Sequence, residues 1–596
     1  MTKEQKTYDN SEEKVKELLN EIKKLKEENE KLKSRKKYGI VWEEEKEPEK
    51  VVLECKEKLP ILKDVKDKEI LTDKNKPMNI LIEGDNYHAL QVLNYTHKGK
   101  IDVIYIDPPY NTGNSNFLYN DRYVDLEDTY RHSKWLNFMS KRLRLAKELL
   151  NMHGVIFISI DDNEVSQLRS LCDEIFDENN RLDRGVIIWN NAGSTKGFRS
   201  IVKNHEYILA YAKDFKNVRN YFGENFPDEL GLVEGRLQIK RTKRNPICRL
   251  NFPKGTPIEG VKNVKFENSV GATTNRIDII NGPMEFKDGR LTKDIILEAS
   301  FPYRFQVEKY FKNINTGKKT YDTKGQEIIS IFFQKNGVPY YRKRRNIQVM
   351  GSVQSDLPNS GLRDLQKILP GIEFSNPKPV ELIVRLLSYF SPKNGIILDF
   401  MEGSGTTGHS VLEINKRDKG KRKFILVNKN EKKIESDKEI KICTDICYPR
   451  IKKVILNLEE EANGKLIKNM PGNLKYFKTD FIDVGNIYDV SDEKKIELTY
   501  KAGEMIALRE DAFEEIEKNK WWQIFKNKNK TVAIYFREDQ SKLGDLFEKL
   551  KKGNAIVYLF SWGKNEVKGQ EHGYDNITIK DIPQPIIEVY KEVNRL

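Results

Sequence analysis

Cysteine is scarce and scattered in this 596-residue chain: five residues (Cys55, Cys172, Cys248, Cys443 and Cys447), with no C-x-x-C pair and no histidine cluster beside them. That excludes a disulfide scaffold and argues against structural zinc, so no metal is expected. Long apolar runs are missing too. The longest are strand-sized pieces such as Val155–Ile160, far short of the ~18 residues a membrane span needs, so no membrane partner is expected. The opening MTKEQKTYDN holds no apolar stretch of the kind that directs secretion, which leaves the cytoplasm as the expected compartment. No G-x-x-x-x-G-K-[ST] occurs, so an ATP-driven motor is not expected in this chain. What is plentiful is charge: 33% of residues are charged, with 105 Lys and Arg against 91 Asp and Glu, a net +14. At ~150 residues per domain the length suggests three or four units.

The positive charge is concentrated. Residues 213–370 hold 29 Lys and Arg against 17 Asp and Glu, so about a quarter of the chain carries nearly all of its excess. Two dense runs lie there, Lys240-Arg241-Thr242-Lys243-Arg244 and Tyr340-Tyr341-Arg342-Lys343-Arg344-Arg345, with Phe301, Tyr303, Phe305, Tyr310 and Phe311 interleaved. A regional excess of this kind suits a polyanion, whose counterions it would release on binding. A single run would more simply be a solvated face. The expected nucleic-acid contacts are Arg241, Arg244, Arg342, Arg344 and Arg345.

Five segments follow from the pattern. Residues 1–40 contain a helix over 11–36 with an a/d seam (Val15, Leu18, Ile22, Leu25, Leu32, and Asn29 at an a position), which fits a coiled-coil dimer contact, a docked helix or a solvated one. Residues 41–212 start with a charged linker (43–68). Then come strand 79–83, helix 87–93, strand 101–106, helix 134–150, strand 155–160, helix 164–176 and strands near 186–189 and 207–211. Strands alternating with helices, each strand a compact apolar run, indicate a parallel sheet covered on both faces. The basic segment 213–370 reads as loop-rich and interrupts that sheet. The alternation resumes over 371–465, with helix 379–390, strand 396–400, helix 407–415 and strand 424–427. Residues 466–596 form a small α/β unit, with helix 541–551 between strands 531–536 and 555–560.

Two loops carry chemistry. Asp107-Pro108-Pro109-Tyr110 follows strand 101–106, and ligands of open α/β sheets bind at the carboxyl ends of strands. The prolines stiffen the loop and remove donors, leaving carbonyl acceptors. A carboxylate, an aimed carbonyl and a ring suit an exocyclic amino group on a base; the alternative is a Pro-rich turn with Asp as a cap. The second loop, Asp399-Phe400-Met401-Glu402-Gly403-Ser404-Gly405-Thr406-Thr407-Gly408, fits G-x-G-x-x-G between a strand and a helix. Alone it fits a nicotinamide or flavin site equally, or a plain glycine turn. The Asp399 carboxylate favours a ligand with an ammonium group, such as the amino-acid end of S-adenosylmethionine.

Together the two loops resemble those of amino-methylating DNA methyltransferases, with the D-P-P-Y form pointing to adenine N6. The catalytic loop precedes the cofactor loop, at residues 107 and 399, with the basic segment between; this resembles the β-class permutation. Leu81-Ile82-Glu83-Gly84-Asp85-Asn86, Asn111-Thr112-Gly113-Asn114, Asn204-His205-Glu206-Tyr207, Asn376-Pro377-Lys378-Pro379 and the run from Trp521 to Phe525 resemble the modification (Mod) subunits of type III restriction–modification systems. The resemblance implies an α/β fold: a Rossmann-like, circularly permuted methyltransferase sheet with an inserted target-recognition domain, an N-terminal helix and a small α/β C-terminal domain. It implies S-adenosylmethionine as cofactor and methyl transfer to N6 of adenine in double-stranded DNA, with the base flipped out. Asp107 and the Pro108 carbonyl, stiffened by Pro109, would accept from the amino group, and Tyr110 would stack on the base. Asp399, Phe400, Gly403, Ser404, Gly405 and Thr406 would hold the methionine part, with Lys378 closing that side. Asp85 would face the cofactor's adenine. The ribose ligand stays open between Asn428 and Glu431. The implied partners are a second copy of the chain and a separate helicase–nuclease subunit.

Other readings remain. These are a solitary adenine methyltransferase, an N4-cytosine enzyme, a DNA-binding subunit with a vestigial loop, and a nicotinamide-dependent oxidoreductase. Four further clusters read as structural. Asp161-Asp162-Asn163-Glu164 looks like a helix cap with first-turn acids, and His409 like a packing or solvated residue. Pro227-Asp228 with Glu234-Gly235-Arg236 is too cramped for a nuclease core. Cys443 and Cys447 lack further ligands.

Overall fold

The computed structural model describes residues 48–595, apart from 74, 114–117, 121, 126, 183–185, 192–202, 244, 346–347, 436–437, 457–471 and 564–572. The expected helix over 11–36 and Arg244 lie outside the described residues.

A ten-stranded sheet organises the molecule. Its strands in chain order are β1 (Lys58–Asp64), β2 (Met78–Glu83), β3 (Ile101–Ile106), β4 (Leu150–Ile160), β5 (Ile187–Asn190), β6 (His205–Ala212), β7 (Val353–Gln354), β8 (Ile396–Asp399), β9 (Lys423–Asn428) and β10 (Asn473–Asp483). Across the sheet they run β1-β10-β2-β9-β8-β3-β4-β6-β5-β7. The six from β10 to β4 are mutually parallel. The sheet is thus mixed rather than purely parallel: β1 joins β10 antiparallel at one end, and β6 runs antiparallel to both β4 and β5 at the other.

Alternation along the strands sorts the two faces. Ile104, Ile106, Leu398, Ile425 and Val427 pack under α2 (Asn86–His97), α3 (Arg131–Leu149) and α4 (Val165–Phe176). Val103, Tyr105, Ile397, Phe424 and Leu426 pack under α5 (Val380–Phe390), α6 (Thr406–Asp418) and α7 (Tyr448–Leu456). Strands β8 and β9, encoded after the basic segment, slot between β2 and β3, while that segment itself lends β7 to the edge of the same sheet. Asp102 ties the join: its carboxylate accepts from Ile396 N (2.8 Å) and from Asn151 Nδ2 (2.9 Å).

Residues 43–68 are not simply a linker. From Lys50 they form α1 (Lys50–Glu57) and then β1, whose Leu59, Ile61 and Leu62 are buried. Lysines flank this short apolar core and disguise its pattern, while Pro60 is tolerated because β1 is a sheet edge. Strand β10, read from sequence as part of the C-terminal unit, pairs inside the large sheet between β1 and β2.

The inserted segment has its own core. Residues 232–344 build two four-stranded sheets and one of three strands around Phe252, Phe286, Leu297, Ile331 and Phe333. The C-terminal five-stranded sheet (Glu514–Lys518, Trp522–Lys526, Thr531–Tyr535, Ala555–Ser561, Ile577–Pro583) shares a core with the α2 face through Ile534, Tyr558 and Ile582.

Candidate active site

Strands β8 and β3 are neighbours, paired Ile397 to Val103 and Leu398 to Ile104. The chain leaving β3 reaches α3 on one face, and the chain leaving β8 enters α6 on the other. This is a topological switch point, where two loops diverge and leave a crevice at the strand ends. The two loops singled out from sequence are the ones that flank it.

In the first loop the indole N–H of Trp135, on α3, donates to the Pro109 carbonyl (2.7 Å) and fixes the proline pair. Asn111 turns the chain at φ +55°, its amide donating to Glu164 (2.6 Å), which also meets His132 Nδ1 (2.6 Å). Glu164, one of the acids first read as capping, therefore braces this loop, while Asp161 accepts from the Asn163 N–H (2.9 Å) as a turn residue does. Tyr110 Oη sits 2.9 Å from Asp107 Oδ1 and 3.0 Å from Glu206 Oε2. Burial, then the charges of Asp107 and Glu206, push the phenol well above its ordinary pKa, so it stays a proton donor.

Lys378, expected to close the side of the Asp399 loop, stands instead beside the Asp107 loop. Its Nζ lies 2.9 Å from Asp107 Oδ2 and 3.4 Å from Glu206 Oε2, and 4.9 Å from the Tyr110 ring centroid. Burial pulls this ammonium's pKa down, but the two carboxylates outweigh it and hold it above the usual value.

In the second loop, Asp399 accepts from Met401 N (2.9 Å) and Thr407 Oγ1 (2.6 Å). Gly405 has φ +85°, and a Cβ there would press on the Cys447 carbonyl at 3.2 Å. A Cβ on Gly408 would sit 2.6 Å from Ile451 and 2.8 Å from Leu426, so this glycine lets α6 pack close against α7 and β9. Asn428 donates to the carbonyls of Glu402 (2.6 Å) and Gly403 (2.7 Å), holding the turn from the end of β9, and its buried Oδ1 has no partner. Phe400 is buried beneath the loop. Arg450, on α7, donates to the Ser404 carbonyl (3.2 Å), Ser404 Oγ (3.1 Å) and Thr406 Oγ1 (2.9 Å), with His409 Nδ1 at 3.3 Å. Asp399 and Glu402 are both pushed up, first by burial and then, for Asp399, by Glu402 and Asp107. For Glu402, Arg450 and the N–H groups of residues 405–407 oppose the rise.

Asp85 begins α2 beside β9. It accepts from Tyr87 N (2.9 Å), with Arg142 at 3.6 Å and Lys429 at 3.7 Å. Burial raises its pKa, yet Arg142, His88 and Lys429 bring the net shift below the ordinary value. Glu431 lies 3.4 Å from Lys429.

The expected nucleic-acid residues divide. Arg241 and Arg345 are exposed. Arg342 is held by Glu234 (2.7 Å) and Glu259 (3.2 Å), and Arg344 lies 3.7 Å from Glu327. Of the interleaved aromatics, Phe301 and Tyr310 are buried in the insert's core and Tyr303 and Phe311 pack against it; only Phe305 of these projects, at 76% exposure. Four of these five aromatics therefore serve the insert's core.

Two site residues were not picked out from sequence. Glu206 lay within a quoted motif, but nothing local showed that β6 would carry it to Tyr110. Arg450 is a lone residue on a helix, and no spacing connects it to Ser404.

With this geometry in place, comparison assigns the chain. Residues 101–439, more than half of its length, match the profile of the N6/N4 DNA methylases. The chain belongs to the N6/N4 DNA methylase family. The chain is 32% identical over 400 residues to the EcoPI Mod subunit, a type III restriction–modification enzyme component of Escherichia phage P1, covering 59% of this chain and 58% of that one. It is 31% identical over 398 residues to the EcoP15I Mod subunit of Escherichia coli, again covering 59% and 58%. It is 29% identical over 356 residues to the type II methyltransferase M.KpnI of Klebsiella pneumoniae, covering 58% of this chain and 79% of that one. The matched stretch thus spans less than two thirds of each Mod subunit.

The residues of the second loop suit S-adenosylmethionine. Two buried acids with raised pKa values, Asp399 and Glu402, line a glycine turn whose Gly403 leaves room beside Phe374, and such a site gains by taking in a cation.

Proposed function

We propose that this methylase is a site-specific DNA adenine-N6 methyltransferase serving as the modification subunit of a type III restriction–modification system. The observation that carries the reading is the adjacency of β3 and β8, which sets the Asp107 loop beside the Asp399 loop across one crevice. Asp399, Phe400, Gly403, Ser404, Gly405 and Thr406 are assigned to the methionine end of S-adenosylmethionine, and Asp85 to its adenine. Asn428 supports the turn and carries the ribose side of the site. Bound there, S-adenosylmethionine supplies an activated methyl group on sulfur.

Asp107 and the Pro108 carbonyl accept hydrogen bonds from the adenine amino group, which turns the N6 lone pair toward the crevice. Tyr110 offers its ring to the flipped base. Unstacking that base costs a few kcal/mol, which contacts between DNA and the basic segment must offset. Arg241 and Arg345 are the exposed candidates, with Arg244 close to Arg241 in sequence; Arg342 and Arg344 would first have to leave their carboxylates. The partners assigned are double-stranded DNA, a second copy of the chain and a helicase–nuclease subunit. Among the described residues no helix is long and apolar enough to cross a membrane, and the cytoplasm is the compartment this activity requires.

The test is transfer of tritiated methyl from S-adenosylmethionine to unmethylated DNA, followed by nucleoside analysis. N6-methyladenine is the expected product. N4-methylcytosine would overturn the adenine assignment, and a pull-down lacking any helicase–nuclease would overturn the type III role.

A further inference from the structure

Asp107 stands at the crevice with both carboxylate oxygens engaged. Tyr110 Oη is 2.9 Å from Oδ1, and Lys378 Nζ is 2.9 Å from Oδ2. Each oxygen keeps a second lone pair, so an amino group arriving at Asp107 competes with these donors for it. Leaving a buried donor with no acceptor would cost the full desolvation penalty of that group. Glu206 supplies the alternative acceptor. Its Oε2 lies 3.0 Å from Tyr110 Oη and 3.4 Å from Lys378 Nζ, while its Oε1 is pinned by Asn191 Nδ2 at 2.9 Å. A phenol has one proton to give, so at any moment Tyr110 serves either Asp107 or Glu206.

We propose that Glu206 is a positioning residue for the target amino group: it takes over the Tyr110 hydroxyl and the Lys378 ammonium as the amino group arrives, clearing Asp107 without stranding a buried donor. No covalent bond changes. The O–H···Asp107 bond is replaced by an amino N–H···Asp107 bond, and the same hydroxyl proton turns to Glu206. Lys378 need only shift its weight between two carboxylates it already touches. The proposal rests on the assignment of Asp107 as acceptor of the amino group.

A double-mutant cycle tests it. Single-turnover methyl transfer is measured with unmethylated plasmid DNA carrying the chain's site, found beforehand by single-molecule sequencing. S-adenosylmethionine affinity is followed by calorimetry. Glu206→Gln is expected to slow transfer about tenfold in the otherwise natural chain but less than about threefold in Tyr110→Phe, where no hydroxyl needs a new acceptor. Cofactor affinity stays unchanged in both. Asn191→Ala, which loosens Glu206 without touching the reacting groups, shows the same dependence on background at smaller amplitude. Equal losses in both backgrounds for both substitutions, or a loss of cofactor affinity that tracks the rate, overturns the proposal. Absence of methyl transfer by the natural chain would instead overturn the function on which it rests.

Discussion

The two sides of the crevice gather comparable charged groups and arrange them in opposite ways. Each has two acids and one base: Asp107, Glu206 and Lys378 on one side, Asp399, Glu402 and Arg450 on the other. On the Asp107 side the base touches both acids, at 2.9 and 3.4 Å, and its pKa rises. On the Asp399 side the guanidinium donates to Ser404 and Thr406 instead, and burial lowers it to about 10. Paired charges leave a site prepared for a neutral ligand such as an amino group on a base. Acids whose pKa values stay raised although Arg450 is near Glu402 fit one that gains from an incoming cation. The two sides differ in whether the base sits between the acids or donates to hydroxyl and carbonyl groups instead.

The largest expected effect would break the comparison on its catalytic side. Asp107→Ala should lower methyl transfer about 10²–10³-fold, with calorimetric affinity for S-adenosylmethionine unchanged. A parallel loss of affinity would show that the two sides are not separable. On the other side, Asp399→Asn should weaken cofactor binding about 10–100-fold, as expected for a lost charged partner, and leave DNA binding measured by fluorescence anisotropy intact.

A pH series sharpens the contrast. Glu402 is pushed up to about 7, and a protonated acid attracts no cation. Cofactor affinity should therefore fall as pH drops below that value, by up to about tenfold per pH unit, and Glu402→Gln should flatten the profile. The sign for stability is the reverse. A carboxyl whose folded pKa is raised favours folding at low pH and loses that contribution as pH rises through the raised value. The cofactor-free protein should accordingly gain more from Glu402→Gln at about pH 8 than at about pH 6 in thermal melts.

The smallest effects belong to the insert. Arg345→Ala should reduce the slope of log affinity against log salt by about 1. Arg342→Ala should leave that slope alone and cost under about 1 kcal/mol of stability, because its partners Glu234 and Glu259 are partly solvated.

Much of this arrangement was legible beforehand, for a physical reason. Parallel strands buried on both faces are continuous apolar runs, and the loops at their ends carry residues with few other uses. So 101–106 and the two loops stood out. Strand β1 did not, because its apolar residues are flanked by lysines at a sheet edge. Glu206 and Arg450 were invisible as site residues because long-range packing brings them in. The aromatics of the insert misled for a related reason: buried rings and stacking rings look alike in one dimension. Arg342 differs again, its basic run being set across a strand from an acid on Glu234.

Strand β10 carries a consequence for how the polypeptide matures. It separates β1 from β2 and comes from residues 473–483, and Tyr590 later closes on the Pro60 carbonyl at 2.5 Å. A nascent chain that has emerged only as far as α7 already contains both diverging loops. Yet β2, which leads into Asp85, would still present a bare margin of unpaired amides. The margin of β2 is therefore covered only by residues 473–483, far downstream of both loops.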